Sequence, residues 1–195
     1  MARALDPRDD PMQNAERAPV PGYSASEWAT FLIPERALLL AAHAADTLRV
    51  RESGRNSGPH IEQYLAACGL PPGAPWCAAF VTYQLLQAGA ERGQLPRNSA
   101  SVCQWVHGSR FRVTADPAQA RRGDLFVWCD RAAWRGHIGF IVRMRRTARG
   151  WLAETIEGNT NDAGSREGDG VYRRQRLWTP QLKVIKLTEA KWTPS

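Results

Sequence analysis

The stretch that decides the fold is residues 71–89, which read PPGAPWCAAFVTYQLLQAG. A loop rich in proline and glycine is followed by an apolar segment from Trp76 to Ala88, which stops at Gly89. This pattern predicts a helix, because glycine commonly provides the left-handed cap at a helix end. Apolar residues occupy nearly every side of it, so we expect this helix to be buried at the centre of the domain.

Two further helices are predicted upstream of this segment. The first begins at Pro34, a residue favoured in a first helical turn, and ends near residues 53–54. The second runs from His60 to Cys68. Their apolar residues recur at helical spacing: Leu38, Ala41, Ala45 and Leu48 in the first helix, and Ile61, Tyr64 and Leu65 in the second.

Downstream of Asp124 the pattern changes to short β-branched and aromatic runs separated by turns. These runs are Leu125–Trp128, His137–Met144, Trp151–Asn159, Val171–Leu177 and Val184–Leu187. Helices followed by strands predict an α+β fold in which helices pack on a C-terminal antiparallel sheet.

Length and composition fit one globular domain. The chain has 195 residues, 43% of them hydrophobic, and a formal charge of +7. The longest apolar run, residues 37–45, is too short to cross a bilayer, so we expect no membrane insertion. We divide the chain into an extended arm (1–34), a catalytic domain (35–178) and a C-terminal strand and tail (179–195).

The chain has four cysteines: Cys68, Cys77, Cys103 and Cys129. None of their spacings matches a structural zinc site. The N-terminus has no apolar core typical of a secretory signal, so a disulfide framework is not expected. We expect at least three of the four to be inert core residues.

Cys77 is the strongest candidate nucleophile. It lies at the start of the predicted central helix, where unpaired backbone N–H groups and the positive helix end favour a thiolate. Cys129 is a weaker rival, because it lies at a strand end without that help.

His137 is the candidate base. The predicted strands 137–144 and 151–159 flank a turn and form a hairpin in which His137 faces either Glu157 or Asn159. Strand residues alternate between faces, so all three side chains share one face in either register. A carboxylate or amide beside an imidazole can orient its ring for catalysis, which completes a cysteine–histidine–polar arrangement for acyl transfer.

Five fragments in this order resemble the CHAP domain family of cysteine- and histidine-dependent amidohydrolases and peptidases that cut peptidoglycan. They are ESGRNSGP (52–59), PWCAAFV (75–81), GDLFV (123–127), GHIGFIV (136–142) and IEGNT (156–160). The resemblance implies a papain-like α+β fold over roughly residues 35–178. It also implies Cys77 as nucleophile and His137 as base, with Glu157 and Asn159 completing the site.

On that resemblance we expect hydrolysis of an amide bond of peptidoglycan, either the muramoyl–L-alanine amide or a bond in the stem or cross-link peptides. The Cys77 backbone N–H and a donor from the loop of Asn56 would meet the oxyanion. Trp76 and Trp134 are further substrate-binding candidates. We expect no cofactor and no metal, because the acidic loop 161–169 lacks regular ligand spacing for calcium.

Delivery and partners are expectations from the same reading. A chain made in the cytoplasm without a signal peptide would reach the wall in a virion, through a lysis pore or through a secretion device. The arm 1–34 would attach it to such an assembly.

Two alternatives stay open at this stage. One is a non-catalytic wall-docking or structural component of a larger assembly such as a phage tail. The other is nucleic-acid binding through arginines, which make up 23 of the 26 basic residues. No recognition motif accompanies those arginines, so we expect no nucleic-acid partner.

Overall fold

The computed structural model describes residues 20–133, 135–161 and 168–192. Within them, the helices are α1 (Ala25–Thr30), α2 (Ile33–Asp46), α3 (Pro59–Ala66), α4 (Cys77–Gln87) and α5 (Val102–His107). The strands are β1 (Val113–Thr114), β2 (Leu125–Asp130), β3 (Arg135–Thr147), β4 (Gly150–Thr160), β5 (Gly170–Leu177) and β6 (Lys183–Ile185). Three short 3-10 helices cover Arg92–Gln94, Pro117–Gln119 and Leu187–Glu189.

The strands form one antiparallel sheet in the order β1-β6-β2-β3-β4-β5. Its inner face packs on the helices through side chains such as Leu125, Ile138 and Phe140. Its outer face carries a smaller apolar cluster that includes Phe126 and Ile141. The predicted α+β class, with helices packed on a C-terminal antiparallel sheet, is confirmed.

The central helix α4 is buried as predicted. Its side chains from Cys77 to Val81 are all shielded from solvent, and Gly89 follows the helix with a φ of 108°. The inner face of β4 approaches it so closely that a Cβ on Gly158 would lie 2.7 Å from the Phe80 ring. This contact fixes the start of α4 against the end of β4.

Helix α2 ends earlier than predicted. It stops at Asp46 rather than near residue 53, because Leu48 is 47% exposed and Arg49 adopts a left-handed φ of 47°. The apolar spacing that suggested a longer helix included a leucine that lies outside the core.

The predicted arm, residues 1–34, is described only from residue 20 onward. Residues 25–30 form α1 rather than extended chain, because Ser24 and Glu27 make a reciprocal cap at its start. Trp28 is buried, and Arg36 of α2 donates to its carbonyl at 3.0 Å. This segment therefore packs on the domain.

The expectation of inert core cysteines is wrong for two of the four. Cys103 of α5 and Cys129 of β2 form a disulfide across a sequence separation of 26 residues. The error arose because spacing along the chain does not show that α5 packs against the end of β2. Cys68 and Cys77 remain free thiols, and the bonded Cys129 cannot act as a rival nucleophile.

No helix within the described ranges combines the length and apolar character needed to span a bilayer.

Candidate active site

Cys77 is the first residue of α4. The helix begins after Trp76 with no side-chain cap, so no side chain occupies the N–H groups of its first turn. Cys77 is 6% exposed and lies in that first turn, at the positive end of the helix. The arrangement suits a thiolate nucleophile and an oxyanion formed beside it.

His137 and Glu157 form a hydrogen-bonded pair behind the thiol. The Nε2 atom of His137 lies 2.8 Å from a Glu157 carboxylate oxygen, and both side chains are fully buried. The Nδ1 atom of His137 has no hydrogen-bond partner within the described residues. Since Nε2–H donates to the carboxylate, Nδ1 is the nitrogen left to exchange a proton with Cys77.

The hairpin register explains how this pair forms. Near the site, Phe140 pairs with Ile156 and Ile141 pairs with Thr155. Counted onward along both strands, this register puts the position of Asn159 opposite His137. Glu157 is then the diagonal neighbour of His137 on the same face. Of the two candidates for orienting the ring, Glu157 makes the hydrogen bond.

Two opposing effects act on His137. Burial lowers its pKa. The neighbouring Cys77 thiol and the Glu157 carboxylate raise it by more than burial lowers it, so the pKa of His137 rises to about 9. Glu157 shows the reverse pattern. Burial raises its pKa, but hydrogen bonds from His137 and Arg176 hold it down, at about 2. A charged imidazolium beside a carboxylate is therefore favoured at neutral pH.

Two partners of Glu157 were not predicted from the sequence. Arg176 of β5 reaches both carboxylate oxygens with its guanidinium, and the Thr155 hydroxyl donates to one of them. Strand alternation could have placed Thr155 on the face of Glu157. The pairing of β4 with β5, which brings Arg176 there, needed the three-dimensional register.

Asn159 has a different role from Glu157. Its side-chain amide, oriented to satisfy both neighbours, accepts from the Trp76 backbone N–H at 3.1 Å and donates to the Gly168 carbonyl at 3.0 Å. Its φ of 55° is left-handed, which asparagine tolerates better than most residues. Asn159 thus ties the end of β4 to the residue that precedes the nucleophile.

A surface groove of about 350 Å³ opens beside Cys77. It is lined by parts of the 70–75 loop, by residues 98 and 100–103, and by Arg135 and Gly136 at the start of β3. Because His137 is fully buried, a substrate in this groove meets the pair from the Cys77 side.

The structure brings neither Trp76 nor Asn56 to the lining of this groove, and Trp134 lies outside the described residues. Trp76 is fully buried, packs against the tilted ring of Tyr64 and donates its indole N–H to Glu52 at 2.8 Å. Asn56 donates its backbone N–H to Glu52 and its amide to the Gly73 carbonyl, so it links two loops rather than lining the groove.

Most of the acidic loop considered for calcium, residues 162–167, also lies outside the description. In the parts of the chain that are described, no three His, Cys, Asp or Glu side chains gather into a group able to hold a metal.

Residues 69–159 match the family model of the CHAP domain. The chain contains a CHAP domain. The matched segment includes Cys77, His137, Glu157 and Asn159. No curated protein and no solved structure matches the chain significantly.

The CHAP domain match confirms the family inferred from the five sequence fragments. The match agrees with a papain-like α+β fold and indicates a hydrolase or peptidase activity. Within this domain, the thiol, the imidazole and the carboxylate come together at the end of the sheet beside the groove.

Proposed function

We propose that the protein is a peptidoglycan hydrolase that cleaves an amide bond through a Cys77 thioester. The observation that carries this proposal is the buried His137–Glu157 pair beside a helix-terminal cysteine that opens into a groove. The bond is either the muramoyl–L-alanine amide or one within the stem or cross-link peptides.

The reaction follows from the positions of the groups. The Cys77 sulfur attacks the amide carbonyl, and the thiol proton resides on His137. The tetrahedral oxyanion is met by backbone N–H groups in the first turn of α4. His137 then protonates the leaving amine, the C–N bond breaks, and an acyl-thioester remains.

Water completes the cycle. His137 removes a proton from a water molecule that attacks the thioester carbonyl. The C–S bond breaks, the carboxylic acid leaves, and the proton returns to the Cys77 sulfur. Glu157 stabilises the imidazolium each time it forms, since its carboxylate accepts the Nε2–H hydrogen bond.

Charge supports an anionic polymer as substrate. The chain carries a net charge of +7, and Arg135 places an exposed guanidinium on the groove, 3.5 Å from Asp130. Wall peptides carry free carboxylates that such a rim attracts. Delivery to the wall by a virion, a lysis pore or a secretion device, with residues 1–34 contacting the carrier, is part of the same proposal.

The test is the loss of turbidity of purified cell walls. Wild-type protein should clear them, and Cys77→Ala should lower the rate by about a thousandfold, because the nucleophile is gone. The matched control is Cys68→Ala, which removes the other free thiol and should retain full activity. Undiminished clearing by Cys77→Ala would exclude the thioester mechanism, and no clearing by the wild-type protein would favour a non-catalytic docking role.

A further inference from the structure

Glu157 is a carboxylate with no exposed surface and an unusual number of donors. Besides the hydrogen bond from His137, its carboxylate accepts one from Nε of Arg176 at 2.6 Å, one from a second guanidinium nitrogen of Arg176, and one from the Thr155 hydroxyl. A buried carboxylate without a cation is strongly disfavoured, because it loses its hydration. The guanidinium supplies both the charge and two parallel hydrogen bonds.

Arg176 is itself held in place. Its guanidinium lies 5.2 Å from the centre of the Phe126 ring, and its side chain is 21% exposed. The same ring lies 5.9 Å from the His137 imidazole. Phe126 therefore supports both ends of the chain of contacts that runs from Arg176 through Glu157 to His137.

We propose that Arg176 is the positioning residue of this active site: its guanidinium keeps Glu157 ionised and aligned behind His137. The inference deepens the proposed function, on which it rests for the role of Cys77. Arg176 touches no reacting atom and acts through the carboxylate alone.

The sign of its electrostatic effect follows from the charges around it. The groups that act on the pair directly are Cys77 on α4 and Arg176 on β5. Tyr172 and Arg174 of β5 share the face of Glu157 by strand alternation. With Arg176 present, the thiolate, imidazolium, carboxylate and guanidinium sum to zero. Without Arg176, the same reactive state carries a buried charge of −1. The Cys77–His137 pair must therefore lose the proton that leaves a thiolate at a higher pH.

The experiment measures alkylation of Cys77 by iodoacetamide as a function of pH. A Cys68→Ser background makes Cys77 the sole free thiol. Arg176→Gln should move the midpoint of the profile upward by about 1 pH unit, as expected for loss of one adjacent cation. Arg176→Lys should keep the midpoint of the parent protein, because the charge is retained.

Orientation is tested separately by the lysine variant. Lysine cannot make two parallel hydrogen bonds, so Arg176→Lys should hydrolyse cell walls about tenfold more slowly at the pH optimum. If Arg176→Gln does not fold, Arg176→Lys still tests the positioning role. A lysine variant that equals the parent in hydrolysis would overturn the positioning role.

The matched control is Arg143→Gln. Arg143 also donates two hydrogen bonds to a glutamate on the neighbouring strand, at 3.2 and 2.7 Å. Its side chain is exposed, and its partner Glu154 contacts no catalytic group among the described residues. It should leave the alkylation midpoint unchanged. An equal shift in both variants, or no shift in Arg176→Gln, would contradict the proposal.

Alkylation needs no wall polymer, so the two proposals fail in different ways. A normal alkylation shift without wall hydrolysis by the parent protein would overturn the substrate and leave Arg176 in its role. Wall hydrolysis that depends on Cys77 but is unchanged in the Arg176 variants would overturn the role of Arg176 and leave the proposed function in place.

Discussion

At the scale of single residues, the site depends on a histidine that is fully buried and yet favoured as a cation. Burial alone would make His137 neutral at pH 7. The Glu157 carboxylate and the Cys77 thiol reverse that preference, and Arg176 balances the carboxylate. The protonation state that catalysis needs is thus set by a few contacts over a short distance.

Removing the carboxylate charge should therefore change how His137 titrates. In the wild-type protein its ring should titrate near pH 9. In Glu157→Gln the midpoint should fall, because the carboxylate no longer offsets burial and only Cys77 still raises the pKa of the ring. NMR of the imidazole protons measures both midpoints, and equal midpoints would refute this electrostatic description.

The same shift links stability to pH. The pKa of His137 is higher in the folded protein than in the unfolded chain, so protonation stabilises the fold. That stabilisation is fully present below pH 6.5 and is lost as the pH rises through about 9. The free energy of unfolding should decline over this window in the wild type, and less so in Glu157→Gln.

At the scale of secondary-structure elements, the site is assembled where α4, β3 and β4 end together. Close packing of Gly158 on Phe80 and the Asn159 bond to Trp76 bring the start of α4 to the end of β4. Helix α5 borders the groove from the other side, and the Cys103–Cys129 disulfide ties it to β2. The groove therefore has one wall that a covalent bond holds in place.

Replacing this disulfide should weaken both the fold and the groove. Closing a loop across 26 residues contributes about 3.5 kcal/mol in the chain-entropy estimate. Cys103→Ala/Cys129→Ala should lower the free energy of unfolding by about that amount. It should also slow wall hydrolysis, because Cys103 and Val102 line the groove.

Urea unfolding and wall clearing measure these two effects. The double variant is preferable to a reductant, which would also act on any oxidised Cys77. Cys68→Ala serves as the control for loss of a thiol alone. Unchanged stability in the double variant would show that α5 holds its place without the bond.

The sequence predicted the helices and strands better than the contacts between them. Apolar periodicity located α4 and the strands that carry His137 and Glu157, and alternation placed those two side chains on one face. The position of Cys77 at a helix start also followed from the preceding proline loop. These features depend on residues that are close in the chain.

Features that join distant segments were missed. Arg176 meets Glu157 only through the pairing of β5 with β4, and Cys103 meets Cys129 only because α5 packs on β2. Trp76 was misread for a related reason. An aromatic residue beside a nucleophile suits substrate binding, but here the chain turns its ring inward toward Tyr64 and Glu52.

At the scale of the whole molecule, the basic charge is partly neutralised on the sheet. Four arginines on the sheet pair with carboxylates: Arg143, Arg145, Arg173 and Arg176. Paired arginines are less available for phosphates. The net charge of +7 that remains suits attraction to an acidic polymer.

The most direct test of the central claim is mass spectrometry of purified peptidoglycan after digestion. We expect fragments with one new amine and one new carboxyl terminus at a single type of amide bond, formed by the wild type and not by Cys77→Ala. New termini formed equally by both proteins, or cleavage of glycosidic bonds in place of amides, would contradict it.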